Sequence, residues 1–220
     1  MVDARIAPAV IEMRTADGRI PGRRGRATRR RLLDATHELL GRIAYRDLKV
    51  IEISRRAGTS PATFYQYFPD IESAVLVLAA EVADDGAHQL RRLVDDPDWD
   101  DAADATALAS GFLDFFEQER ALLGVVDLAA LEGDERFRAL RTRLLNGVFL
   151  ALHDVVYEAR ARGVVGAAAD PGAIAGVLTS MLAHVAAHRP GLEAWGVSGD
   201  QLTSTMATIV DWSVRGPFEG

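Results

Sequence analysis

Apolar residues recur every three to four positions along most of the chain, the period of helices buried along one side. Leu32, Ala35, Thr36 and Leu39 make the first stripe, and Thr28 just before it suits an N-cap. A shorter stripe, Val50, Ile53 and Ala57, predicts a second helix that stops at Gly58, where a glycine tolerates the positive φ of a tight reversal. Ser60 then predicts a third helix start. Its hydroxyl is placed to accept the amide of Thr63, and Pro61 at the first helical position gives up no needed donor. Phe64 and Phe68, four apart, turn inward together.

Further on, the pattern predicts longer helices. A stripe of Ala74, Val75, Leu78, Val82, Leu90 and Leu93 runs over about 71–94, and the acidic turn Asp95-Asp96-Pro97-Asp98 ends it. About 102–118 carries Leu108, Phe112, Phe115 and Phe116, and about 121–131 is almost wholly apolar, so it must be buried. About 134–162 has enough apolar positions to touch neighbours on more than one side, and Gly163 closes it. Two more helices, about 171–188 and 199–214, complete the chain; the first is rich in Gly and Ala, which permits close packing.

Composition narrows the class. With 49% hydrophobic and 26% charged residues over 220 positions, the chain is globular and long enough for a real core. The absence of cysteine excludes disulfides, thiol catalysis and thiolate metal sites, and suits a reducing compartment. Charged residues interrupt every apolar run near the amino terminus, and no run reaches the roughly 18 residues of a membrane span. A cytoplasmic protein without a membrane anchor is expected.

The net charge of -7 hides an asymmetry: up to Phe68 there are 14 Lys and Arg against 7 Asp and Glu, and beyond it 11 against 25. A basic segment on an acidic body predicts a nucleic-acid module attached to a domain with another task. Two helices joined by a glycine turn predict a helix-turn-helix. With Phe64 and Phe68 in the core, Ala62, Thr63, Tyr65, Gln66 and Tyr67 remain outside. Small Ala62 and Thr63 fall in the first turn, where a recognition helix meets base edges, and the phenols and the amide reach phosphates. The plainer alternative is a helical hairpin with amphipathic surface tyrosines. Residues 1–27 carry Pro8, Gly18, Pro21, Gly22 and Gly25 among arginines and predict a basic flexible arm. Arg19, Arg23, Arg24, Arg26, Arg29, Arg30 and Arg31 are candidates for phosphate neutralisation or a flanking minor groove, the alternative being a solvated tail.

The run Val50-Ile51-Glu52-Ile53-Ser54-Arg55-Arg56-Ala57-Gly58-Thr59-Ser60, continuing through Thr63-Phe64-Tyr65-Gln66-Tyr67-Phe68-Pro69 and Glu72-Ser73-Ala74-Val75-Leu76, resembles the amino-terminal domain of TetR-type transcriptional regulators over about residues 28–80. The resemblance implies an all-α fold of about nine helices: a three-helix DNA-binding head over 28–70, and a ligand-binding and dimerisation domain over 71–220. Together with the pattern and charge readings above, it gives a candidate DNA interface of Arg23, Arg24, Arg26, Arg29, Thr59, Ser60, Ala62, Thr63, Tyr65, Gln66 and Tyr67, in which the resemblance implies that Tyr65 and Tyr67 meet the phosphate backbone. Lys49 stands where the family commonly has a Ser or Thr cap, Ala44 where a glycine often ends the first helix, and Ile71 where a lysine often meets phosphate. The resemblance also places the homodimer interface on the helices at 171–188 and 199–214. A two-fold pair has its own physical motive, since it reads two half-sites at fixed spacing.

For a small, largely apolar ligand the candidate pocket residues are Phe112, Phe115, Phe116, Phe149, Tyr157, Met181 and Trp195, with His153 and His184 as polar handles. Most of these residues also suit a plain core. His184 and His188 share the i, i+4 spacing of a metal site, but no Glu follows His184 in the catalytic zinc pattern. No nucleophile motif, phosphate loop or dinucleotide fingerprint is present, so neither enzyme activity nor a cofactor is expected. The expected function is a ligand-responsive repressor on an inverted-repeat operator. The alternative is a helical small-molecule carrier or interaction module with a degenerate head, against which the charge asymmetry argues.

Overall fold

The computed structural model describes residues 22–97, 99 and 101–216, and all their regular structure is helical. Nine α-helices follow in the described residues: α1 Arg23–Leu40, α2 Val50–Arg56, α3 Pro61–Tyr67, α4 Ile71–Asp95, α5 Ala102–Gln118, α6 Arg120–Leu131, α7 Glu135–Ala161, α8 Pro171–Ala194 and α9 Gly199–Arg215, with a 3-10 turn at Tyr45–Asp47.

Two boundaries differ from expectation. α1 starts at Arg23, not Thr28, with Gly22 as an extended N-cap that makes no side-chain hydrogen bond. Arg and Ala are strong helix formers, so the basic run extends the helix towards the amino terminus. Thr28 therefore sits inside the helix, its hydroxyl donating to the Arg24 carbonyl at 3.2 Å instead of capping. α8 continues past His188 and through Pro190 to Ala194. An Arg189 to Glu193 ion pair at 2.7 Å supports that added turn.

The helix ends follow from local chemistry. Asp70, Asp101, Asp134 and Asp170 each accept an amide two or three residues on, at the starts of α4, α5, α7 and α8. Ser198 and Gln201 form a reciprocal capping box at α9. α2 starts at Val50 although Lys49 offers no side-chain cap.

The described chain divides into two compact units, and the division falls within α4, after Val82. One unit takes the chain as far as Val82 together with Ala121–Leu140; in it α1 packs on α2 and α2 on α3. Leu32, Leu33, Ile53, Phe64, Phe68 and Val75 are buried there. The other unit takes Ala83–Arg120 and the chain from Arg141 onward, with α5 packed on both α8 and α9. Its interior holds Phe112 stacked on Phe116 and Phe115 edge-on to Phe116. Gly86 of α4 faces Phe115 and Leu144 so closely that a Cβ would collide with both, so α4, α5 and α7 meet where any larger residue requires those two side chains to shift.

Candidate nucleic-acid interface

The reversal between α2 and α3 is a Schellman motif. The amide of Thr59 donates to the Ser54 carbonyl at 2.9 Å and that of Gly58 to Arg55 at 3.2 Å, with Gly58 at φ 64°. Any side chain at Gly58 would strain this conformation. Directly after it, Ser60 accepts the Thr63 amide at 3.2 Å and Pro61 opens the helix. The turn and the cap together fix where α3 points.

α3 divides its side chains sharply. Phe64 is fully buried and packs against Phe68 with ring centroids 5.6 Å apart. On the outside, Ala62, Tyr65 and Gln66 are exposed, with Thr59, Thr63 and Tyr67 half-buried. The Tyr65 ring stands edge-on to Phe64 at 5.7 Å, which sets its direction while its hydroxyl end stays in solvent. Ser60 is tied up by its cap and by a 3.0 Å hydrogen bond with the Thr63 hydroxyl.

The predicted basic residues separate. Arg23, Arg24 and Arg26 are exposed on the first turns of α1. They are helical and do not belong to an irregular arm; the rest of that arm, Arg19 included, lies outside the described residues. Arg29 is 8% exposed, with its guanidinium 5.3 Å from the centroid of Phe68. Burial lowers its pKa, the carboxylate of Glu81 partly opposing this. It shares a stripe with Leu32, Leu33 and Thr36, so helical geometry turns it towards the core. Arg30 pairs with Asp34 and Glu81, both at 2.7 Å. Arg55, not singled out in the sequence, is exposed on the last turn of α2 beside the reversal; the Arg55-Arg56 doublet before Gly58 was its signal. Arg56 itself pairs with Glu38.

The candidate pocket residues divide into a buried set and a more exposed set. Phe112, Phe115 and Phe116 are buried core of α5, and Phe149 and Met181 are half-buried. His153 is half-buried and stacks on Tyr157, which is 59% exposed. His184 is exposed and stacks on His188 with centroids 4.1 Å apart, and Trp195, beyond the end of α8, is 81% exposed. Among the described residues no group of three or more metal-ligating side chains forms, and no helix is long and apolar enough to cross a membrane.

A capped recognition helix delivered by a glycine reversal, followed by a separate helical body, defines a helix-turn-helix regulator. Family comparison gives the class a name. Residues 32–77 match the model for bacterial regulatory proteins of the tetR family, and residues 90–218 match the tetracyclin repressor-like C-terminal domain. The chain belongs to the TetR family of transcriptional regulators. No curated protein matches it in sequence. Among solved structures it resembles a transcriptional regulator from Rhodococcus sp. Rha1, at TM-score 0.68 and 16% identity over 86% of this chain and 96% of that one. It also resembles the fatty acid degradation regulator FadR from Bacillus halodurans, at TM-score 0.63 and 17% identity over 86% and 95%. A third is FadR from Bacillus subtilis in complex with stearoyl-CoA, at TM-score 0.62 and 16% identity over 86% and 99%.

Proposed function

We propose that this TetR-family regulator is a repressor that binds an inverted-repeat operator as a homodimer in the cytoplasm and leaves it when a largely apolar small molecule binds. The observation that carries the reading is α3, whose core residues, cap and preceding reversal are all committed to presenting Ala62, Thr63, Tyr65, Gln66 and Tyr67 outward. In this reading Thr63 and Ala62 read base edges, while Tyr65, Tyr67, Thr59 and the exposed arginines of α1 hold phosphates.

The homodimer is supported by α8 and α9. α8 buries Ala175, Leu178, Leu182 and Ala183, yet also shows Val177, at 66% exposure, and small Ala173 and Ser180 to solvent. α9 exposes Thr205, Ile209 and Trp212 along one stripe. Helices apolar on a second side are suited to a second copy. An acyl-chain ligand is suggested by the Bacillus subtilis FadR, crystallised with stearoyl-CoA. Binding such a chain requires the α5 aromatics to part.

For coupling, Arg136 at the start of α7 bonds to Glu72 in the first turn of α4, directly after the head, and also to Asp134. A ligand that shifts α7 therefore pulls on the helix that sets the head. It changes DNA occupancy only as far as it binds the released state more tightly. The test is fluorescence anisotropy on DNA from around the chain's own gene, at physiological salt with nonspecific competitor. Saturable binding to a two-fold-symmetric fragment, reversed by long-chain acyl-CoA, is expected. Binding that fades with salt at every sequence contradicts the reading.

A further inference from the structure

We propose that the groove between α5 and α9 is a binding site for a small organic cation carrying several N–H donors, a diamine or a guanidinium compound. The groove has a volume of about 390 Å³ and is lined by Thr106 and Ser110 of α5 and by Asp200, Thr203, Thr208 and Asp211 of α9, among others. That volume lies in the range of small-molecule pockets, about 300 to 1,000 Å³.

Its chemistry is one-sided. The hydroxyl of Thr106 donates to the Ala102 carbonyl at 3.2 Å, that of Thr203 to Gly199 at 3.0 Å, and that of Thr208 to Ser204 at 2.9 Å. With their protons spent on their own helices, these groups offer only lone pairs to the groove. Asp200 and Asp211 add carboxylates, which accept and never donate when ionised. Asp211 is 4% exposed and is held by Arg215 at 2.5 and 3.1 Å, which uses part of its acceptor capacity. Asp101 and Asp104 also lie within electrostatic reach of Arg215, so four carboxylates, with Asp200 and Asp211, gather around this end of the molecule. Arg189 comes near Gly199 but is bound to Glu193.

Acceptors dominate this lining, the hydroxyls of Ser110 and Ser204 being the groups able to donate, so the groove is complementary to a ligand rich in donors. The site therefore differs in place and in chemistry from the apolar ligand proposed above. Thr205, Ile209 and Trp212, the stripe offered to a second copy, are not among the groove's lining residues.

The experiment is isothermal titration calorimetry of the full chain with 1,4-diaminobutane at constant ionic strength, with sodium chloride and 1-butanol as controls. One saturable event per chain is expected, absent from both controls. Asp200→Asn, on an exposed residue at the start of α9, should weaken it about tenfold, as should Thr203→Val, with thermal melting reporting intact folding. No saturable heat, or binding that neither substitution changes, overturns the proposal. A change in oligomeric state without ligand stoichiometry assigns the groove to a neighbouring chain and also overturns it.

Discussion

Phe64 and Tyr65 are adjacent and meet opposite fates: the first is fully buried and the second is 52% exposed. Phe64→Ala leaves a cavity at the centre of the head, and a loss of about 3–5 kcal/mol is expected from urea unfolding. Tyr65→Phe removes only a hydroxyl in solvent, so the fold should hold while affinity falls alike for every DNA sequence. Thr63→Ala should instead change which sequences bind, read by competition between operator variants; the reverse pattern contradicts both assignments. At this scale the sequence was legible wherever spacing decided burial, as it did for Phe64 and Phe68. It misled at Arg29. Arginine in a basic run reads as a solvent contact, but its position on the stripe of Leu32, Leu33 and Thr36 places it over Phe68 instead. Charge suggests exposure, and helical phase decided against it.

The helices were legible in number and near their ends because caps are local chemistry. Ser60, Asp101, Asp170 and Ser198 sit where each cap was needed. Two uncapped ends were missed: α1 begins after Gly22 on helix propensity, and α8 passes through Pro190 with the support of the Arg189 to Glu193 ion pair. The start of α7 carries a pH prediction. The hydrogen bond from Arg136 holds the Asp134 carboxyl well below its ordinary range, at about 2. A depressed acid contributes stability above its unfolded value, near 4, and loses it as pH falls through its folded value. Melting temperature should therefore drop between about pH 4 and pH 2, and Arg136→Gln should flatten that part of the profile. A profile unchanged by the substitution contradicts the link. At Gly86, adding a methyl group as Gly86→Ala should cost about 1–3 kcal/mol, because Phe115 and Leu144 must move within a packed interior.

For the whole molecule, the basic head and acidic body were visible as a charge asymmetry, and the family match agrees with the regulator that it suggested. The ligand pocket was not legible. Aromatic residues in a helix look the same whether they line a space or fill one, and Phe112, Phe115 and Phe116 are buried, as either role requires. The apolar second side of α8 was legible only as a wealth of Gly and Ala, since which residues face outward depends on what α5 and α9 cover. Val177→Arg places a charge on that outer side without touching the buried one, so it should shift sedimentation from dimer to monomer and leave helicity intact. The most direct test of the central claim is the stoichiometry of the complex, by analytical ultracentrifugation with a labelled inverted-repeat operator and with a single half-site. Two chains on the inverted repeat, and at least a hundredfold weaker binding to the half-site, a difference of about 2.7 kcal/mol, are predicted. Equal affinity for both, or one chain on each, would contradict a two-fold regulator.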